Sequence, residues 1–382
     1  MKFLHLADLH IGKSVNGFSM IEEQKNAFNQ IIEYIKEEGP TAVVIAGDVY
    51  DRAIPGVDAV QAFDDFLTEL ADASVAVLLI SGNHDSPGRI SFASRLLSDK
   101  QIFFYGEFDG TVHKVVLPDE YGEVNFWLLP FIKPVSVAGK FAEEEIESYE
   151  DAIAAALGTA GIDYTARNVL VSHQFYTKEG VQPFRSESEL SPVGGLDAVD
   201  AEILEGFDYA ALGHLHGRQG VGQEHIHYCG SPVKYSFSEW RQEKSVTLVE
   251  LGGKGRLSVR FLPLAPLHDM REIKGGIGDL MSEEVSALAD KEDYLRVILI
   301  DEEEIVDPMG KLRSVYPNIM SLDFENSRTG IDIATIKTDI ESIEKLSAYE
   351  LFSEFFLEAQ GGVMSKEQAE IVRGLLERPD EE

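Results

Sequence analysis

Cysteine is almost missing: the 382-residue chain holds one, Cys229. No internal disulfide can form, and a thiolate-ligated structural zinc site is not expected. That scarcity fits a reducing compartment. Long apolar runs are missing too, and none reaches the roughly 20 residues that a membrane-spanning helix needs. The opening Met1-Lys2-Phe3-Leu4-His5-Leu6-Ala7-Asp8 meets an acid too early for a secretory leader. A soluble, cytoplasmic protein with no membrane contact is expected. Positive charge is also short, with 33 Lys and Arg against 67 Asp and Glu, a net charge of −34. This balance opposes nucleic acid, because phosphate contacts need a basic surface. Screening beyond about 8 Å at physiological salt weakens the objection, so a local cationic site or a basic partner could still hold DNA.

What is present suffices for ordinary globular cores: 44% of residues are hydrophobic and 9% aromatic. The length predicts one large domain with one or two smaller units. Residues 1–265 alternate short apolar strands with amphipathic helices. Strands are expected at 2–7, 41–46, 75–80, 126–129, 169–172, 209–212, 246–251 and 257–262, and helices at 20–38 and 57–73. Continuous apolar runs such as Val77-Leu78-Leu79-Ile80 suggest strands covered on both faces. The expected fold is an α/β layered β-sandwich flanked by helices. Residues 174–201 show no periodic element, and so long a loop is usually functional. The character changes near Pro263 and Pro266; residues 268–335 read as a small α+β cap and 337–378 as paired C-terminal helices.

Five segments carry chemistry: Asp8-Leu9-His10, Gly47-Asp48-Val49-Tyr50-Asp51, Gly82-Asn83-His84-Asp85, Ser172-His173 and Gly213-His214-Leu215-His216. Most follow apolar strands, where open α/β sheets place their sites. At i and i+2, an extended backbone would point Asp8 and His10 to one side, and His214 and His216 likewise. The glycines would let the chain turn sharply. Each segment alone has an ordinary explanation as a turn, a polar loop or a core histidine. Together they offer carboxylate, amide oxygen and imidazole, a donor set suited to manganese, iron or zinc more than calcium.

In this order the five motifs resemble the calcineurin-like metallophosphoesterases. The stretch Ser186 to Gly195, with Leu212-Gly213-His214-Leu215-His216 and Gly230-Ser231-Pro232, is similar to the SbcD family, nuclease subunits that act with an SbcC coiled-coil ATPase. The resemblance implies two divalent metal ions, manganese preferred. One would be held by Asp8, His10, Asp48 and His216, the other by Asp48, Asn83, His173 and His214, with Asp48 bridging. It also implies that His84 faces the scissile phosphate as a catalytic group, and that Asp51 and Asp85 orient neighbouring imidazoles or loops. The implied activity is exo- and endonucleolytic cleavage of DNA duplex ends and hairpins in repair and recombination. The implied assembly is a homodimer within a heterotetramer with the SbcC-like ATPase.

Other residues have simpler readings. His5, His113 and His268 are expected to be structural, His225 and His227 to lie on a strand without metal, and Cys229 to be a small buried apolar residue. Lys274, Arg296, Lys311, Arg313 and Arg328 are the cap's candidate DNA contacts. In the tail, Leu346, Tyr349, Leu351, Phe352, Phe355 and Phe356 crowd one short helix, and Ser365 with Gln368 forms a capping box before a second. This tail either docks on its own chain or grips the partner's coiled coil; the family resemblance favours the partner. Two competing functions stand beside the nuclease. A small-molecule or cyclic-nucleotide phosphodiesterase would suit the acidic charge, and an inactive scaffold would show gaps among the ligands.

Overall fold

The inner strands supply two cores at once. In the strand Gly122–Leu129, Phe126 and Leu128 enter one apolar cluster while Trp127 and Leu129 enter another. Arg167–His173 divides in the same way, Val169 and Val171 against Leu170, as does Tyr209–Gly213. Alternation along a pleated strand makes this possible, and it is why these strands read as unbroken apolar runs.

The computed structural model describes residues 1–141, 145–178, 180–189, 197–326, 349, 352, 353, 356 and 364–376. The chain divides into two units, Met1–Asp269 and Met270–Glu382. In the first, two six-stranded sheets face each other. One runs in the order Leu257–Pro263, Ser245–Leu251, Lys2–Leu6, Ala42–Ala46, Ala76–Ile80, Ile102–Tyr105. The other runs Gln219–Val221, Gln223–Tyr228, Tyr209–Gly213, Arg167–His173, Gly122–Leu129, His113–Asp119. Phe3, Val44, Leu78, Phe126, Val171 and Tyr209 belong to the cluster shared by both sheets. Ala152, Ile153 and Ala156 of the helix Tyr149–Gly158 pack on the outer face of the second sheet. Helices Ile21–Glu38 and Val57–Asp72 pack together through Phe28 and Phe66, whose rings stack at 4.4 Å.

The expected strands and helices of this unit all appear, within a few residues of their predicted ends. The segment 263–268 lies along the first helix. The Glu23 carboxylate accepts from the amides of Leu267 and His268 and from the His268 ring, which gives His268 its structural role. His5 is buried and bonded to Tyr209, and Cys229 is buried. The expected structureless loop 174–201 is partly wrong: Phe175–Thr177 pairs in parallel with Ala198–Asp200. Strands of three residues are too short to leave a periodic signal.

The second unit holds a parallel three-stranded sheet, Met270–Gly275, Tyr294–Leu299 and Ile319–Phe324. The first of these strands leaves little signal in the sequence, because its residues alternate charge with apolar groups only loosely. Ser365 and Gln368 cap the helix Lys366–Leu376 reciprocally, as expected. Leu346, Leu351 and Phe355 lie outside the described residues, as does Arg328. No helix among the described residues is long and apolar enough to cross a membrane.

Candidate metal centre

Two motif loops are laced together by backbone bonds: the amides of Asp8, His10 and Ile11 donate to the carbonyls of Gly47, Asp48 and Val49 at 2.9–3.1 Å. This pairing brings the first two motifs side by side where their parallel strands end. It also replaces the extended backbone expected at Asp8 and His10. Their φ angles are 53° and 42°, Asp48 has 50°, and His214 has 109°. Left-handed conformations at non-glycine residues cost energy and gather at functional sites. Of the three motif glycines, only Gly47 makes a left-handed turn, at φ 89°. Gly82 serves close approach instead, since a Cβ there would sit 2.1 Å from Asp48 Oδ1.

The seven expected ligands come together. Asp48 Oδ2 lies 3.6 Å from His10 Nε2 and 3.4 Å from His173 Nε2. Asn83 Oδ1 is 3.1 Å from both His173 Nε2 and His214 Nδ1. His10 Nε2 is 3.1 Å from His216 Nε2, and the His214 amide donates to the Asp8 carboxylate. Ligand atoms of Asp8, His10 and His216 fall within 4.8 Å of one another, as do those of Asp8, Asp48 and His173. His84 joins a third such group with His10 and Asp48. Its backbone amide donates to Asp48, and its ring donates from Nδ1 to the Asp51 carbonyl at 2.9 Å.

The ring protons are fixed from behind. His173 Nδ1–H donates to the Ala46 carbonyl at 2.7 Å, leaving Nε2 bare toward Asn83 and Asp48 when the ring is neutral. His216 Nδ1 donates to Ser188 Oγ at 2.8 Å, and Ser188 donates to Glu239 at 2.8 Å, leaving Nε2 bare toward His10. Converging lone pairs of this kind repel unless a cation lies among them. The mixed nitrogen and oxygen donors suit a divalent transition ion, and the site fits divalent metal.

Burial acts first on each charge. It pushes the Asp8 carboxyl up to about 7, against the pull of His173 and His216. Burial also penalises Asp48, but the imidazoles of His173, His10 and His84 outweigh it and hold that carboxyl below its usual range. His173 is the mirror image: burial opposes its charge, and Asp48 nonetheless raises it to about 9. Burial lowers His214 to about 3. The protein groups alone therefore pair one anion, Asp48, with one cation, His173. A dication on the same atoms would take over that cation's role.

Asp85 accepts from the amides of Val49, Tyr50 and Gly82, so it ties the second and third motifs together. Asp51 meets His84 through its carbonyl and sends its carboxylate to Lys13 at 2.8 Å. Sequence reasoning misses the supports of His216 and His10. Glu189 accepts from the His216 amide, and Lys244 donates to the His216 carbonyl and to Glu239. Gln24 donates to the carbonyls of Leu9 and His10 and to the Tyr235 hydroxyl. One signal does exist. Gln24 precedes Ala27 and Ile31 by three and seven residues, a polar side chain on the helix's buried face.

Residues 1–218 match the family profile of the calcineurin-like phosphoesterases. The chain belongs to that family. A second match, to the type 5 capsule protein repressor C-terminal domain, covers residues 266–360. This phosphoesterase is 32% identical over 349 residues to the SbcD subunit of the nuclease SbcCD of Staphylococcus epidermidis, across 90% of this chain and 91% of that protein. Its membership therefore extends to the SbcD branch. Among solved structures, it is similar to a dimetal phosphatase of Danio rerio at 13% identity and a TM-score of 0.39, covering 70% of this chain and 97% of that one. It is also similar to a phosphopantetheinyl hydrolase of Mycobacterium tuberculosis at 14% identity and a TM-score of 0.38, covering 63% and 92%.

Proposed function

We propose that the chain is a two-metal-dependent DNA nuclease, cleaving duplex ends and hairpins as the SbcD-type subunit of a cytoplasmic repair and recombination complex. The observation that carries this reading is the convergence of Asp8, His10, Asp48, Asn83, His173, His214 and His216 on one buried centre. Asp8, His10, Asp48 and His216 would hold one ion, and Asp48, Asn83, His173 and His214 the other, with manganese the preferred metal. Such a pair supplies a hydroxide nucleophile at neutral pH and neutralises charge on the phosphodiester during in-line displacement.

The chain's own residues do the rest. The Ala46 carbonyl and the Ser188–Glu239 pair keep His173 and His216 in the tautomer that presents Nε2. The Asp51 carbonyl does the same for His84, whose ring is only partly buried, so its Nε2 is the group left to meet the substrate. There it would stabilise developing charge or protonate the leaving oxygen.

For the partner, the reading rests on family membership: an SbcC-like coiled-coil ATPase would bind the tail beyond residue 337. Self-association into a homodimer is supported by Val57, Phe92 and Leu96, all more than three-quarters exposed. The net charge of −34 favours a second reading, a small-molecule phosphodiesterase. The cap offers DNA little, since Lys274 pairs with Glu325 at 2.6 Å and Arg296 with Asp323 at 2.7 Å. Manganese-dependent cleavage of hairpin and duplex DNA, with and without the ATPase, decides between them. Turnover of bis(4-nitrophenyl) phosphate with no DNA cleavage under either condition would favour the second.

A further inference from the structure

If the chain is a nuclease, an acidic protein must hold DNA close to the metals. A cleft of about 510 Å³ has His216 in its wall and is lined also by Phe184, Arg218, Gln219, Arg241 and Gln242. We propose that this cleft is a DNA subsite, taking one or two nucleotides of single strand beside the scissile phosphate. The inference rests on the nuclease reading above.

Three observations carry it. First, Arg218 and Arg241 have no carboxylate partner among the described residues. Each guanidinium instead lies over an aromatic ring, Arg218 on Phe261 at 4.2 Å and Arg241 on Trp240 at 4.5 Å. Stacking holds the planar fork in place while its edge stays able to grip a phosphate in bidentate fashion. Arg218 uses one nitrogen to donate to Ser245, at 2.8 Å. Second, Phe184 is 56% exposed in a cleft wall. Its backbone is clamped by Gln219, whose side chain accepts from the Phe184 amide and donates to its carbonyl. A rigid, exposed ring is the platform on which an unpaired base stacks. Third, the wall nearest the metal centre adds no free negative charge, because buried Glu239 is neutralised by Lys244 at 2.7 Å. Among the described residues, Glu243 is the only acid lining the cleft. Two arginines beside an aromatic ring, close to a metal ligand in the cleft wall, create a local attraction for a polyanion that the surrounding charge otherwise repels.

The test uses the full-length protein with manganese, a hairpin oligonucleotide and bis(4-nitrophenyl) phosphate. Arg218→Gln/Arg241→Gln should raise KM for the oligonucleotide tenfold or more. It should also flatten the dependence of log KM on log salt by roughly 1.4, at roughly 0.7 for each lost single-strand phosphate contact. Phe184→Ala should raise KM by about tenfold, within the range of a lost stacking contact, with the salt slope unchanged. The small diester should be turned over at the wild-type rate in each variant. An unchanged KM and slope for the oligonucleotide overturn the subsite and leave the nuclease reading standing. Equal losses on both substrates also overturn it, since the residues would then support the metal centre. Arg241→Glu, on an exposed side chain, repeats the test without disturbing the Arg218 bonds, and wild-type KM in that variant overturns it too. Wild-type protein that turns over the small diester but no DNA overturns both readings.

Discussion

Glu239→Gln should destabilise the first unit far more than a change of one atom suggests. Glu239 is fully buried. Its carboxylate accepts from Lys244 at 2.7 Å, Ser188 at 2.8 Å, Ser236 at 3.1 Å and the Tyr235 amide at 3.3 Å. Lys244 is itself buried, and its other partners, the His216 carbonyl, Ser231 and Gln242, are all neutral. Glutamine fills the same volume but removes the lysine's counter-charge and turns one acceptor into a donor facing other donors. Breaking a buried pair from one side costs about 3–5 kcal/mol, a large part of a typical stability of about 5–15 kcal/mol. For a unit of this size the melting temperature should fall by on the order of 10 °C. Replacing both partners, Glu239→Gln with Lys244→Met, leaves no stranded charge and should recover part of the loss. Urea titration of the wild type, both single variants and the double variant checks this. A loss below about 1 kcal/mol in Glu239→Gln, or a double variant less stable than both singles, would refute the reasoning.

Asp48→Ala should remove both metal equivalents and several orders of magnitude of activity, because one carboxylate serves both proposed sites; metal analysis that still finds two equivalents ends the bridging assignment. His84→Gln should retain both metals and lose kcat with little change in KM, as expected for a group acting in the transition state; loss of metal would make His84 a ligand. The Asp119 carboxylate takes two bonds from Arg167, at 2.6 and 2.9 Å, which hold its carboxyl below the usual range. Its stabilisation is therefore complete above about pH 4 and is lost as pH falls through the depressed value, so melting curves of wild type and Asp119→Asn should converge in acid. Deleting the chain from residue 337 should preserve hydrolysis of a small diester and abolish binding to the SbcC-like ATPase; a truncation that still binds would move the partner surface elsewhere.

The expected ligands are legible in the sequence because they follow apolar strands in short motifs, and an apolar run marks a strand without knowledge of its neighbours. What holds them is not. Lys244 and Glu239 are ordinary charged residues in a segment with no pattern, and their importance comes from burial beside His216. Ser188 sits in a stretch without periodicity, and its role depends on a contact with residue 216. The backbone at Asp8 and His10 departs from expectation for the same reason. Local spacing suggests extended chain, while pairing with the loop at 47–49 imposes left-handed turns.

Those turns set catalysis against stability. Asp8, His10, Asp48 and His214 each occupy a backbone region that glycine or asparagine enters at less cost, and such strain is worth roughly 1–3 kcal/mol at each position. A copy of this gene released from its chemical duty would therefore gain stability by drifting to glycine or asparagine at these positions. Decay of the active site would be thermodynamically downhill, and only continued use of the reaction opposes it.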